Sequence, residues 1–550
     1  MRNIIVVDAS VALKWVIDES DSDKAHALLI EWSDKGIIML APALFTYEIT
    51  NILYQNVRKN EMTLERAKSA LEDVMFLGIE IDIPQDFSLS RRTIELAHRF
   101  GLKATYDSHY LALAEREGCE LWTADTKMVE SCKGASKLGA VAGRLPSFPG
   151  LIYQRSNHRM AFDLQRARQE TPGCEHVLHF NNAGSSLMPQ AVLEATIGHL
   201  RLEAEMGGYE AAEQAEDAIE RVYDAAATLI NCSRDEIAVI ENATRAWDMA
   251  FYSIPFQPGD CILTAMAEYA SNYIAYLQIA RKTGAVVEVV PNDAHGQLSL
   301  EALHKMIDER VKLIAITHVP TNGGLVNPVV EVGKVARENG ILYLVDACQS
   351  VGQMPIDVEQ IGCDMLSATG RKYLRGPRGT GFLYVRKSVL ERLEPPLLDL
   401  HAAEWVDKDT YIMSPNARRF ETWETNYAGK IGLGVAIDYA LGWGMDSVWR
   451  RVKGLAYMLR TRLSPLPGVI VRDRGVNQCG IVTFNIEDKN PEEIKLALKK
   501  QHINVSVTTR GSTLLDMDAR GLVSMVRASV HYFNSEDEVE RFCGAVELLV

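Results

Sequence analysis

The sequence predicts an α/β protein in two parts. The first is a parallel-sheet domain over residues 1–133. The second, over residues 151–550, is a large α/β domain followed by a small α+β domain from about residue 440, to which the N-terminal segment of that part also contributes. Three observations lead there. Short apolar runs alternate with amphipathic stretches of helical spacing in both parts. Residues 134–150, GASKLGAVAGRLPSFPG, are small, glycine-rich and punctuated by proline, the composition of a linker. The last stretch changes texture to alternating strands and closes with a helix opened by a capping box, Ser535 to Glu538. A length of 550 residues also exceeds what one hydrophobic core organises.

Composition narrows the function classes. A hydrophobic fraction of 47% and a charged fraction of 24% are those of a globular protein. The net charge of −15 argues against a broad nucleic-acid or membrane-binding surface and leaves room for a local basic groove. Nine scattered cysteines, with no Cys-x-x-Cys pair, read as reduced thiols, so a cytoplasmic location is expected. The opening MRNIIVVDASVALKW is interrupted by Asp8 and reads as a strand rather than a signal peptide. No apolar run approaches the roughly twenty residues of a transmembrane helix, and no membrane partner is expected.

In the first part, NIIVVDA, IIMLAP and CELWTAD read as strands, and SDKAHALLIEWSDKG and ALFTYEITNILYQNVRKN as helices. Four acids stand at element ends or on these helices. Asp8 and Asp125 follow apolar strands, where open α/β sheets place their sites. Glu48 and Asp107 lie on apolar helices, where a charge is costly without a partner. Carboxylates that converge without matching cations repel one another, and a hard divalent ion, Mg²⁺ or Mn²⁺, relieves that repulsion and activates water. The ordered set Asp8 with Ser10, Glu48 with Asn51, Tyr106-Asp107 with YLALAE, and Thr123 with Asp125 resembles the PIN domain of VapC-type toxins over residues 1–133. The resemblance implies metal-dependent endonucleolytic cleavage of RNA, with Asp8, Glu48, Asp107 and Asp125 as the metal shell, Asp8 and Asp107 as catalytic residues, and a separate antitoxin as partner. Arg91, Arg92, Arg99 and Lys103 are candidates for an RNA-facing patch, and a solvated helix face accounts for them equally well.

In the second part, CILTAM, AVVEVVP, VKLIAITHV and GILYLVDA read as the strands of a second parallel sheet. The last ends in Asp346, with Gln349 close behind, and Lys372 follows in a glycine-rich loop, SATGRKYLRGPRGTGF. An acid at a strand end and an amine in such a loop suit pyridoxal 5′-phosphate, which needs an amine for its aldehyde, an acid for its ring nitrogen and donors for its phosphate.

Residues from about 178 to 545 resemble the class V aminotransferase-fold enzymes, the group that includes cysteine desulfurases, selenocysteine lyases, kynureninase and isopenicillin N epimerase. The resemblance implies pyridoxal-phosphate fold-type I and a homodimer. Lys372 takes the place of the lysine in S-G-H-K, Thr369 that of the phosphate-binding serine, and Arg371 that of the histidine beside the lysine. Asp346 and Gln349 match the partners of the ring nitrogen and ring hydroxyl. ENATRAWDMAF aligns with the segment that opens a phosphate-binding helix, so Ala243 and Thr244 are expected there. Tyr269 in AEYASN replaces the histidine stacked on the ring, and THVPTNGG brings Thr321 or Asn322 near it. Arg527 in MVRASVHYFN matches the arginine that grips a substrate carboxylate, and Asn182 is expected to bind substrate with it.

The departures bear on the reaction. The stretch VTTRGSTLLDMDARGLVSMVR, where desulfurases carry a catalytic cysteine, has none. Cys479 is expected in the core and Cys348 in packing, so no persulfide relay is expected. RFETWETN puts Glu424 where a phosphate-binding threonine is expected, which passes that contact to Thr425. The variant looks more like the branch of hercynylcysteine sulfoxide lyase and epimerase-like members. The expected whole is a PIN-type ribonuclease fused to a lyase that cleaves a C–S bond in a sulfur-containing amino acid. The alternative is an aminotransferase or epimerase joined to an idle PIN-like binding module.

Overall fold

Branched and leucine-rich runs such as IIVV and VKLIAIT suit strands buried on both faces, and the computed structural model of the chain places them in two sheets, one parallel and one mainly parallel. It describes residues 4–17, 37–59, 61–75, 77, 79–82, 88–102, 104–125, 142–143 and 162–550, with residues 22, 25, 28, 29 and 32. The chain divides into two units, Met1–Ala161 and Phe162–Val550.

In the N-terminal unit, β1 (Ile4–Val7), β2 (Ile38–Pro42), β3 (Glu80–Asp82), β4 (Glu120–Trp122) and β5 (Ala142–Gly143) form one sheet in the order β3-β2-β1-β4-β5, parallel throughout. Val6 and Val7 of the central strand are fully buried with Ile49 and Leu53 of helix Phe45–Arg58 and Leu111 and Leu113 of helix Tyr106–Glu117. The second helix ends at Gly118, whose φ of 63° gives the left-handed cap that glycine adopts without strain. The helix expected over 22–36 lies largely outside the described residues, as does Lys103. The segment expected as a linker, 134–150, also lies outside them, except that Ala142–Gly143 pairs with β4 as a fifth strand.

In the C-terminal unit a short strand, β6 (Leu178–His179), precedes the large sheet. β7 (Ile237–Ile240), β8 (Cys261–Ala265), β9 (Val286–Val290), β10 (Val311–Thr317), β11 (Leu342–Asp346), β12 (Met365–Thr369) and β13 (Gly381–Val385) lie in the order β7-β13-β12-β11-β10-β8-β9. β13 is antiparallel to both its neighbours and every other pair is parallel. A hairpin, β14 (Ala403–Asp407) and β15 (Thr410–Met413), follows. The small domain holds β16 (Val469–Val471), β17 (Ile481–Ile486), β18 (Ile503–Asn504), β19 (Ser506–Thr509) and β20 (Ser524–Ser529). β16, β17, β20 and β19 form an antiparallel sheet, while β18 pairs with β6. Ala167 and Phe180 share that domain's core with Leu459, Phe484 and Phe542, so the first residues of this unit do return to the small domain. The final helix, Glu536–Glu547, carries the expected capping box: Ser535 Oγ accepts from Glu538 N at 3.1 Å and Ser535 N donates to Glu538 Oε2 at 3.2 Å.

The parallel register sets the site. Thr317 pairs with Asp346, and Asp346 with Ser367, so β10, β11 and β12 deliver their carboxyl ends side by side. That is the edge at which open α/β sheets bind ligands.

Candidate active site

Lys372 enters a cavity of about 300 Å³ from the turn between β12 and β13. The turn is tight. Gly370 N donates to Thr380 O at 2.9 Å and Gly376 N to Gly370 O at 2.7 Å, and a Cβ at Gly370 would lie 2.2 Å from Thr380 Oγ1. Only glycine fits there. The other cations of the loop have different tasks. Arg375, at φ 62°, is buried and donates to Leu187 O at 2.8 Å, Tyr532 OH at 2.6 Å and Thr171 Oγ1 at 2.5 Å, tying the loop to the small domain and the start of the unit. Arg371 lines the cavity and donates to Gly184 O. Burial pushes the Lys372 amine below its ordinary pKa; Cys348 opposes this, Arg371 and Arg527 add to it, and Asp346 opposes it.

Asp346, the last residue of β11, accepts from Cys348 N at 2.9 Å and Asn272 Nδ2 at 3.1 Å. Burial pushes its carboxyl up, while those two hydrogen bonds and the Lys372 charge pull the other way. Gln349 donates to Ala183 O at 3.1 Å and Thr321 Oγ1 at 3.4 Å, and its Oε1 is buried without a hydrogen-bond partner. Ala243 and Thr244 line the cavity from the first turn of helix Ala243–Tyr252, which Asn242 caps by accepting from Arg245 N at 2.9 Å. Tyr269 and Thr369 line it too.

Of the two candidates at 321 and 322, Thr321 reaches the lining; Asn322 hydrogen-bonds to Thr508 Oγ1 and Thr509 O. Arg527 stands behind Thr321 and donates Nε to Ser506 Oγ at 3.0 Å. Burial lowers its pKa to about 10, Tyr373 opposes this, and Arg371 adds to it. Asn182 is fully buried with its amide donated to Ser529 O at 2.7 Å, and its side chain is not part of the lining. Thr425 lines an adjoining cleft, which shares Glu241 and Gly379 with the main cavity.

Cys348 differs from its expected packing role, because it lines the cavity beside Lys372, whereas Cys479 is fully buried in the core as expected. The segment from Ser506 to Arg527 carries no thiol. One determinant escaped the sequence reading. Glu421, which opens the ETWETN segment, is buried and accepts from Tyr223 OH at 2.9 Å, Val239 N at 2.7 Å and Lys430 Nζ at 3.4 Å, fixing the chain just before Thr425. An exposed-looking glutamate on a polar loop gives no sign in sequence of such partners.

In the N-terminal unit Asp8 accepts from Ser10 Oγ at 2.5 Å and Thr123 Oγ1 at 2.6 Å, and Glu48 accepts from Tyr110 OH at 2.5 Å. Thr123 Oγ1 also accepts from Asp125 N at 3.0 Å, which holds Asp125 beside Asp8. Burial first, then mutual repulsion, pushes three of these carboxyls up: Asp8 by burial and Asp125, Asp107 by burial with Asp8 and Asp125, and Glu48, to about 7, by burial with Asp8 and Asp107. The four acids therefore share one electrostatic neighbourhood. Among the described residues, no group of three or more His, Cys, Asp or Glu is drawn together closely enough to hold a metal ion. Arg92 is committed to Glu115, through Nε at 2.6 Å and Nη2 at 2.8 Å, and to Glu95.

Residues 178–542 match the family model "Aminotransferase class-V", about two thirds of the chain. The chain belongs to the class V aminotransferase family. A probable cysteine desulfurase of Pyrococcus abyssi is 32% identical over 389 residues, 70% of this chain and 96% of that protein. A probable cysteine desulfurase of Xylella fastidiosa is 31% identical over 70% of this chain and 95% of its own length. The apo cysteine desulfurase of Thermococcus onnurineus superposes with a TM-score of 0.65 at 30% identity, over 70% of this chain and 98% of that one. Residues 5–133 match the PIN-domain model, so a PIN domain precedes the class V domain.

The class V cavity fits pyridoxal phosphate on its own terms. Gln349 Oε1, a buried acceptor without a hydrogen-bond partner, suits a ring hydroxyl. Asp346 offers a buried carboxylate, and the helix start carrying Thr244, with Thr369 at the end of β12, offers phosphate donors. Lys372 would hold the aldehyde carbon, and the group supplies an electron sink for the α carbon of an amino acid.

Proposed function

We propose that the C-terminal unit is a pyridoxal-phosphate lyase that breaks the carbon–sulfur bond of a sulfur-containing amino acid without a persulfide relay on the 506–527 segment. One observation carries the reading: Lys372 and Asp346 line one cavity with Gln349 and Thr369, while that segment has no thiol. The lowered pKa of Lys372 favours a neutral amine able to take the substrate's α proton. With the cofactor bound, Asp346 would hold the proton of the ring nitrogen. Arg527 holds the substrate carboxylate through a guanidinium fork. With the α proton taken by Lys372 and the bound group as electron sink, the β carbon would lose its thiolate, and the three-carbon product would be released and hydrolysed to pyruvate and ammonia.

The test is to supply cysteine, cystine and cysteine sulfoxide conjugates and measure products. Pyruvate and ammonia support the lyase. Alanine with a persulfide on the protein supports a second reading, cysteine desulfuration, which the names of the relatives and the position of Cys348 favour. Amino transfer to a keto acid, or inversion at the α carbon, points to the transferase or epimerase alternative.

For the N-terminal unit the proposed activity is Mg²⁺- or Mn²⁺-dependent cleavage of single-stranded RNA, with the ion drawing in Asp8, Glu48, Asp107 and Asp125, which are not gathered closely enough to hold it beforehand. The PIN-domain match and the mutual repulsion of these acids support it. A homodimer through the class V domain and a separate antitoxin complete the proposed partners. Cleavage of RNA that is independent of divalent ions, or unaffected by Asp8→Asn, would remove this activity.

A further inference from the structure

Behind Asp346 lies a second buried carboxylate, Glu268, that the reaction outlined above does not use. It is 3% exposed and follows β8. Five donors surround it. Oε1 accepts from Asn272 Nδ2 and Tyr269 N at 2.8 Å and from Thr317 Oγ1 at 2.5 Å; Oε2 accepts from Thr264 Oγ1 and Thr317 N at 3.1 Å. Asn272 itself is 2% exposed, and the same Nδ2 donates at 3.1 Å to Asp346 Oδ2. One amide nitrogen thus bridges two carboxylates.

An amide can be turned over, exchanging its donor for its acceptor. Next to Asp346 alone the turned form would be penalised once. With Glu268 in place it is penalised twice, because Oδ1 would face two carboxylate oxygens inside the protein, where such repulsion is poorly screened. Glu268 also belongs to the chain that carries Tyr269 into the cavity, and its contact with Thr317 ties that chain to the end of β10.

We infer that Glu268 is a positioning residue for the cofactor's ring: through Asn272 it holds the Asp346 carboxylate in the orientation that meets the ring nitrogen, and it fixes the backbone of Tyr269 on the ring's border. The inference rests on the proposed pyridoxal-phosphate site. Burial raises the Glu268 carboxyl to about 7, with Asp346 adding to the rise and the Thr317, Asn272 and Tyr269 hydrogen bonds opposing it. A group kept there at that electrostatic cost is held by its contacts.

The test uses the full chain and pyridoxal phosphate, with two readouts other than turnover: the cofactor's dissociation constant and the ratio of its visible to near-ultraviolet absorption. Wild type must first bind the cofactor and fix it to Lys372 under borohydride; if it does not, the cofactor reading itself fails. Glu268→Gln puts a donor amide among five donors and is expected to weaken cofactor binding about tenfold or more, the scale of a lost buried charge-assisted hydrogen bond, and to change the band ratio. The same change made in an Asn272→Ala background is expected to add less than it does in wild type, since the part of its effect that reaches Asp346 travels through that amide and only the contact with Tyr269 N remains. Thr264→Val, which loosens Glu268 from outside the cavity, gives a milder effect in the same direction and serves if Glu268→Gln does not fold. Cofactor affinity and band ratio that stay at wild-type values, or effects of Glu268 and Asn272 that simply add, overturn the inference.

Discussion

Arg527 Nη1 donates to Thr321 at both Oγ1, 2.6 Å, and the carbonyl oxygen, 3.1 Å, so the guanidinium is held just behind a residue that lines the cavity. Both acceptors are neutral, and burial already lowers the pKa of this arginine. An incoming carboxylate would relieve that cost by exchanging neutral acceptors for a charged one. Arg527→Lys keeps a charge and loses the fork, so KM for the amino acid is expected to rise by about tenfold to a hundredfold. Cofactor affinity is expected to stay within about twofold, which equilibrium titration of pyridoxal phosphate checks.

Asp346→Asn is expected to retain the cofactor through its phosphate contacts and to lower kcat by at least about a hundredfold, because a fixed charge opposite the ring nitrogen is lost where water cannot replace it. Steady-state kinetics on the fully loaded variant tests this. Near-normal turnover would take Asp346 out of the site.

Lys372→Ala is expected to fold and to lose covalent capture of the cofactor. Borohydride reduction followed by peptide mapping locates the attachment in wild type. A label elsewhere than Lys372 would refute the assignment of the loop between β12 and β13.

In the N-terminal unit Glu48 has a folded-state pKa of about 7 against an ordinary 4.5, raised by burial first. Between those values the folded form binds more protons than the unfolded one, so the stability present below pH 4.5 is lost as pH rises through 7. The raised Asp8 and Asp107 carboxyls act in the same direction. Hydrogen exchange across helices Phe45–Arg58 and Tyr106–Glu117, corrected for intrinsic rates, is expected to show weaker protection at pH 7.5 than at pH 5. Glu48→Gln, which keeps an acceptor for Tyr110, is expected to flatten that difference.

Asp8→Asn is expected to stabilise the metal-free N-terminal unit by relieving repulsion, and to abolish both the stabilisation by Mg²⁺ and RNA cleavage. A calorimetric scan of the full chain with and without Mg²⁺ reads the first two effects. Loss of stability in the metal-free variant, with the Mg²⁺ response intact, would make Asp8 a structural acid.

Local sequence determined the strands and most of the chemistry at their ends. VKLIAIT and LYLVD leave a strand little alternative, and a terminal Asp346 followed by Gln349 is a pattern whose function depends on positions close in the chain. Ser535 and Glu538 likewise settle the last helix within one turn. Tertiary structure decided what depends on partners far apart. It set Thr321 rather than Asn322 at the cavity and moved Cys348 from packing to the lining. It drew the Asn182 amide into Ser529 O, 347 residues away, and buried Glu421 against Tyr223, 198 residues away. The physical reason is that a polar side chain costs little wherever water or any donor satisfies it. Its own sequence therefore records neither its burial nor its partner, and only the packed sheet ends and the returning N-terminal strand supply them.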